Sequence, residues 1–270
     1  MKKFFFIGIA ITYLVYSCAS NPITGKKELN FVSNDNLFAT SFQEYGTFLK
    51  DNKVITGTPD AKRVESVGLR IKAAAEKYAN YKGKPEYLKG YQWEYNLVDS
   101  KDVNAWCMPG GKIVVYSGIL PITKDDNGLA TVMGHEVSHA IANHGAQRMS
   151  AAQLQQIGAV GLAVATGGQS AEKQQMWQQY YGLGTEVGAM LPFSRSHESE
   201  ADRLGLILMT IAGFNPDETI AFWQRMAAQS GGAAQSEFFS THPSDATRIA
   251  NLQKLIPEAK EIAAKVNATK

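Results

Sequence analysis

Cysteine is scarce in this chain: Cys18 and Cys107 are the only two among 270 residues. A disulfide framework of the kind that staples small secreted domains is therefore excluded, and a chain of this length can build its core by apolar burial. A surplus of either charge is also lacking. Lysine and arginine total 27 against 25 acidic residues, a formal net charge of +2. That is too little for the field needed to hold a phosphate backbone, so nucleic acid is excluded as a partner. There is no fixed-period repeat and no long run of like charge. Past the first 17 residues long apolar runs are missing too. The richest later stretch, Ile157 to Thr166, is about half the ~20 residues of a helical membrane span, which points to a buried or interfacial piece.

What is present begins at the N-terminus. Lys2 and Lys3 precede an apolar stretch from Phe4 to Tyr16, followed by Ser17 and Cys18. A positive start, a short apolar middle and a small residue before the cut form the layout of a secretory signal. Val15-Tyr16-Ser17-Cys18 resembles a bacterial lipobox. By that resemblance residues 1–17 are a lipoprotein signal peptide, and Cys18 is the lipidated first residue of the mature chain. Residues 18–32, with Asn21-Pro22-Ile23-Thr24-Gly25 in them, then read as an extended tether, and residues 33–270 as a single domain.

Within that domain Ser33 is a candidate N-cap for a helix to about Lys50, and Thr58-Pro59-Asp60 starts another to about Asn80. Tyr91 to Val98 and Lys112 to Tyr116 have the aromatic and β-branched texture of strands, with a turn at Met108-Pro109-Gly110-Gly111 between them. Helical patterns follow over Leu129 to Met149, through a Gln/Ala/Gly-rich region to about Gly184, then over Ser194 to Ala212, Pro216 to Ala228 and Pro243 to Leu255. A small sheet set among many helices predicts an α+β fold.

The chemistry centres on His135-Glu136-Val137-Ser138-His139. Histidines four apart share one helix face, so two ring nitrogens can converge on one ion, while the glutamate beside the first can reach a water at that ion. Val132, Met133, Val137, Ala140 and Ile141 make the helix a buried one, where two histidines and a glutamate are costly without a metal to satisfy them. The position six residues after His139 is Gly145, and no acidic residue lies between His139 and Glu172, so the third ligand is not at either of two common spacings. Ser194-Arg195-Ser196-His197-Glu198-Ser199-Glu200-Ala201-Asp202-Arg203 is the next candidate. It is either an exposed charged helix face or the source of that ligand, with Glu198 on the metal and Asp202, four residues on, bonded to the second nitrogen of a ligand histidine. Glu200 points elsewhere, and His144 and His197 fall off the ligand faces, as surface residues or outer supports.

His-Glu-x-x-His followed by Ser-Arg-x-x-Glu-x-Glu-Ala-Asp-Arg is similar to the gluzincin peptidases that include the CAAX prenyl proteases and the heat-shock protease HtpX. The chain resembles most their soluble envelope relatives, the BepA- and LoiP-like lipoproteins. Asn21 to Gly25, Asn104 to Lys112, and Ser240-Thr241-His242-Pro243-Ser244 extend the likeness over nearly the whole mature chain. The resemblance implies a mostly helical zincin-type domain with an exposed edge strand beside the metal. It implies one Zn²⁺ on His135, His139 and Glu198, Glu136 as the catalytic carboxylate, and Asp202 as a support. His242 then either caps the zinc or stabilises the transition state. The chain ends at Lys270 and has no room for the helical-repeat domain that BepA adds.

These expectations describe a zinc metalloendopeptidase. The segment from Asn104 through Pro109, Gly110 and Gly111 to Tyr116 is expected to bind an extended substrate by strand addition. Unfolded or misassembled envelope proteins are the expected substrates. The resemblance places the chain in the cell envelope, lipid-anchored to the outer membrane and facing the periplasm. Two other readings stand beside it. One is a zinc-containing binding or assembly factor for outer-membrane proteins whose peptidase activity is silenced by His242; the other is a structural lipoprotein without metal.

Overall fold

Thr58 and Pro59 open the helix that backs the sheet: the Thr58 hydroxyl accepts a bond from the Ala61 N–H, and proline sits where no N–H is needed. This helix buries Val64, Val67, Ile71, Ala74, Ala75 and Tyr78, an apolar stripe at helical spacing. The computed structural model describes residues 18–230, 242 and 246–269. The signal read at 1–17, and Ser240, Thr241, Pro243 and Ser244 of the last motif, lie outside the described residues.

The strands are β1 (Cys18–Ser20), β2 (Lys27–Leu29), β3 (Val54–Ile55), β4 (Glu94–Val98), β5 (Ala105–Met108) and β6 (Lys112–Tyr116). The helices are α1 (Asn34–Asp51), α2 (Pro59–Tyr81), a short α3 (Leu120–Thr123), α4 (Asp126–Ile141), α5 (His144–Thr166), α6 (Ala171–Thr185), α7 (Leu191–Ile211), α8 (Glu218–Ser230) and α9 (Ala246–Ala268). The fold is α+β and mostly helical, with one four-stranded sheet in the order β3-β4-β6-β5. Strands β4 and β6 are parallel, from Glu94 opposite Lys112 to Val98 opposite Tyr116. Strand β5 runs antiparallel to β6 and forms one edge.

Alternation along β6 sorts the core. Ile113 and Val115 face the main cluster with Leu97, Val64, Ile71, Leu129 and Met133. Val114 faces the other way, onto Tyr45 of α1 and Val98. Each fully buried aliphatic side chain contributes about 1.5–3 kcal/mol relative to exposure, so this two-sided packing fixes the register of the strand beside the site.

Helices α4 and α7 cross at glycines. A Cβ on Gly205 would lie 3.0 Å from the His135 nitrogen, and one on Gly134 would lie 3.1 Å from the Gly205 carbonyl. Two backbones in contact bring α7 close enough for its side chains to meet those of α4.

The helix expected over Leu129 to Met149 is instead two. The chain breaks at Ala142 and Asn143, and Asn143 is left-handed at φ 54°, a conformation asparagine tolerates better than most residues. The break turns α5 so that its first residue, His144, packs back on His139. The last helix runs on past Leu255 and Pro257 to Ala268; burial of Ile256, Ala259, Ala263 and Val266 offsets the backbone bond that proline forgoes.

The segment expected as a tether is docked on the body. Strands β1 and β2 pair, Ile23 enters the main core, and Asn21 Nδ2 donates to the Ile141 carbonyl at 3.1 Å. The Ile141 carbonyl at the end of α4 is thereby satisfied.

Candidate metal centre

Helix α4 presents His135 and His139 one turn apart, and their Nε2 atoms stand 3.1 Å from each other. Glu198 of α7 reaches both: Oε2 is 3.3 Å from His135 Nε2, and Oε1 is 3.3 Å from His139 Nε2. His242 closes the group, with Nδ1 3.2 Å from His135 Nε2 and 2.9 Å from Glu198 Oε2. One ligand atom from each of these four residues lies within 4.8 Å of all the others. Donors about 2.0–2.1 Å from one tetrahedral ion stand roughly 3.3–3.4 Å apart, so the cluster has the spacing of a metal cage. Three ring nitrogens and a carboxylate converge there, a donor set that fits a divalent cation.

Glu136 stands beside the cage. Its Oε1 is buried without a hydrogen bond and lies 3.4 Å from His242 Nε2. Burial raises its carboxyl above the ordinary range, against the pull of His242 and His135. Burial acts the same way on Glu198, but bonds from His135, His139 and His242 overcome it and hold that carboxylate far below the usual range. Two neighbouring carboxylates are thus set for different work: one ionised among donors, the other a better proton acceptor.

Each histidine on α4 has a partner behind it. Asp202 Oδ1 lies 3.1 Å from His135 Nδ1, and Asp202 is in turn gripped by Arg248 of α9 at 2.6 Å and 2.8 Å. The Arg248 guanidinium lies 3.6 Å over the Trp223 ring. Burial disfavours a charged His135, but Asp202 and Glu198 prevail and lift it to about 9. Behind His139, His144 Nδ1 is 2.8 Å from His139 Nδ1, and His144 Nε2 faces Glu200 Oε2 at 3.4 Å. Glu200 meets Lys26 of the docked N-terminal segment at 3.5 Å. His197 stacks on His144 with ring centres 4.0 Å apart. Both His144 and His197 are buried, so neither is a surface residue.

The residues expected to bind substrate divide. Asn104 and β5 lie along the sheet edge, and Cys107 of β5 is close enough to Glu136 to feel its charge. Pro109, Gly110 and Gly111 form a turn whose carbonyls are already taken, by Ser41, Gln92 and Glu94 respectively. Gly110 and Gly111 are left-handed at φ 85° and 86° and packed under Phe42 and Trp93. They shape the turn, and each of their carbonyls already accepts a bond within the protein. Of the N-terminal segment, the backbone at Cys18 opens β1.

Comparison with known proteins agrees with this geometry. The family model described as peptidase family M48 matches residues 62–256, which include His135, Glu136, His139, Glu198 and His242. The chain is 35% identical over 207 residues to the protein named mitochondrial metalloendopeptidase OMA1 of Saccharomyces cerevisiae, covering 74% of this chain and 57% of that one. It is 31% identical to the Schizosaccharomyces pombe protein of the same name, over 88% of this chain and 66% of the relative. To the beta-barrel assembly-enhancing protease of Yersinia pestis it is 31% identical, over 62% of this chain and 36% of the relative. The chain thus spans roughly a third to two thirds of the relatives it matches.

These relatives correct the expected location. A lipid-anchored place at an outer membrane, facing the periplasm, does not stand, because the relatives matched over more of the chain are named mitochondrial. A relative named mitochondrial and one named for beta-barrel assembly both match this chain, so likeness to the second kind alone carries no address. With a cage of two histidines from one helix, a carboxylate from another, and a family match over more than half its length, the chain belongs to peptidase family M48.

Proposed function

We propose that the chain is a zinc-dependent endopeptidase that hydrolyses peptide bonds in unfolded or misassembled polypeptides. The observation that carries the reading is the cluster of four donor atoms within 4.8 Å of one another, with a buried carboxylate beside it whose Oε1 has no hydrogen bond. His135, His139 and Glu198 would hold the ion; two imidazoles and a carboxylate are a donor set that suits zinc. Zinc bound there supplies Lewis acidity, for water activation and for carbonyl polarisation.

Glu136 does the proton work. Its carboxylate accepts the proton of the attacking water and then delivers it to the leaving amine. Asp202, fixed by Arg248, holds the His135 ring in place through Nδ1, and His144 does the same for His139. Strand β5 offers an edge onto which an extended chain can add through its backbone, a mode tolerant of sequence and open to the middle of a chain. Substitution Glu136→Gln is expected to keep one zinc per chain while cutting hydrolysis of unfolded casein about 10²–10⁴-fold. His135→Ala and Glu198→Ala are expected to lose the zinc itself. Wild-type hydrolysis by the Gln variant, or full zinc in both Ala variants, would remove the assignment.

A second reading has its own support: a zinc-containing binding or assembly factor whose peptidase is silenced. His242 Nδ1 stands as a fourth donor of the cluster, and with an ion bound it would compete with an attacking water for the open position. Comparing wild type with His242→Ala on unfolded casein separates the two. A large gain marks His242 as a cap, a loss marks it as a catalytic group, and no hydrolysis by either protein favours the binding factor.

A further inference from the structure

Helices α5 and α6 form a hairpin that sets large apolar side chains against solvent and is joined in part by polar bonds. Among the described residues, nine of the twelve large apolar side chains that stand exposed fall between Met149 and Leu191. On α5 they include Ile157, Val160 and Val164, and on α6 Trp177, Tyr180 and Leu183; each set follows one helix face. No residue of α6 is buried. The contacts between the two helices include amide and hydroxyl bonds. Gln155 Nε2 donates to Thr185 Oγ1 at 2.8 Å, Gln178 Nε2 donates to the Ala159 carbonyl at 3.2 Å, and the Tyr181 hydroxyl donates to the Gln155 carbonyl at 3.1 Å. Polar glue between helices and apolar side chains outward is the pattern of helices solvated by lipid.

Charge points the same way. No charged residue lies between Arg148 and Glu172, and none between Lys173 and Glu186. An interface with another protein carries a polar, charged rim around its apolar centre; here the charges are confined to the ends of the helices. Trp177 and Tyr180 are the side chains that settle at the headgroup level of a bilayer. The described N-terminal segment meets the hairpin: Cys18 pairs with Leu29, and two residues on from Leu29 the Phe31 N–H bonds Ser150 Oγ of α5. No described helix is long and apolar enough to cross a membrane, and the exposed glutamines Gln153, Gln156 and Gln175 leave part of the hairpin polar.

We propose that the α5–α6 hairpin is a membrane-docking surface: it lies on a phospholipid bilayer with Ile157, Val160, Val164, Trp177, Tyr180 and Leu183 immersed at the interface. Docking there sets the metal cage close to the lipid, because α5 starts at His144 against His139 and the chain after α6 leads into the helix of Glu198.

Tryptophan fluorescence of the full-length chain tests this on phosphatidylcholine vesicles with brominated acyl chains, which quench only indoles that reach the lipid. Trp177 is 43% exposed whereas Trp223 is buried. The wild type is expected to be quenched, and Trp177→Phe, which keeps the apolar face, is expected to lose about half or more of that quenching. Val164→Asp, with Trp177 in place, is expected to reduce it as well while its circular-dichroism melt stays unchanged. Absence of quenching in the wild type, or equal quenching in Trp177→Phe, would overturn the proposal. So would a dimer by sedimentation that Val164→Asp converts to monomer while Trp177 stays unquenched, since the face would then belong to a second copy. No peptidase step enters the readout, so the result stands apart from the metal chemistry.

Discussion

The α4–α7 seam and the α5–α6 seam both set polar groups between two helices, by opposite means. In the first, the buried groups are ionisable: His135, Glu198 and Asp202 lie under an apolar shell and are held by one another and by Arg248. In the second, half-buried neutral amides and hydroxyls bond across the seam while apolar side chains face outward. Ionised groups in a dry interior need every partner in place, since the loss of one leaves a bare charge. Neutral amides ask much less. The first seam is therefore intolerant of change and the second permissive, and substitution can grade the contrast.

The largest effect is expected at Asp202. Asp202→Ala strips Arg248 of its bidentate partner inside the core and His135 of its Nδ1 contact. Breaking one half of a buried pair costs about 3–5 kcal/mol, and loss of the support behind a ligand histidine about 10–100-fold in metal affinity. Denaturant melts of the metal-free chain and competition with a zinc chelator read the two separately. A fall in affinity with an unchanged melt would show that the buried pair adds nothing to the fold.

Next comes the close approach of α4 and α7. Gly205→Val places carbon where the His135 backbone nitrogen already lies 3.0 Å from a first Cβ. Overpacking of this kind costs about 1–3 kcal/mol, and the metal cage opens with it because Glu198 rides on the displaced helix. The control is Gly161→Ala in α5, where a Cβ meets nothing within 4 Å. There the change is expected to be neutral or to stabilise by about 0.5–1 kcal/mol, since glycine is a poor helix interior. Thermal melts are expected to fall for Gly205→Val and to hold or rise for Gly161→Ala; a matched loss would show that the exposed face of α5 is packed in the free protein.

How far the sequence reveals these seams depends on the range of the interaction. Helical spacing makes His135 and His139 legible as a pair, and the four-residue step from Glu198 to Asp202 makes them legible as one face. Alternation marks β6, and a proline after threonine marks the start of α2. Arg248 left no signal, because it joins Asp202 across 46 residues and an arginine on a helix is ordinarily exposed. His144 carries a signal that is visible only in retrospect. A ligand histidine needs a partner for its second nitrogen, and a third histidine five residues after His139 can supply one only if the helix breaks between them. The break rests on the left-handed backbone of Asn143, which no apolar periodicity records. Gly134 and Gly205 were silent for a similar reason: a glycine inside a helix pattern marks a close approach only once its neighbour is known.

The smallest effect is expected where the sequence looks most apolar. Val164 is 79% exposed and Ile157 67%, whereas Ile207 of α7 is fully buried. In Ile207→Ser the hydroxyl enters a dry core and the removed carbons leave a cavity, which together cost several kcal/mol. In the double variant Ile157→Ser, Val164→Ser the same chemistry takes place in water, where the replaced side chains had given up little apolar surface on folding. Its melt in aqueous buffer is expected to stay within about 0.5 kcal/mol of wild type. A larger loss would mean that these side chains pack against something in the free protein. The hairpin would then be part of the core, and the contrast between the two seams would be one of degree.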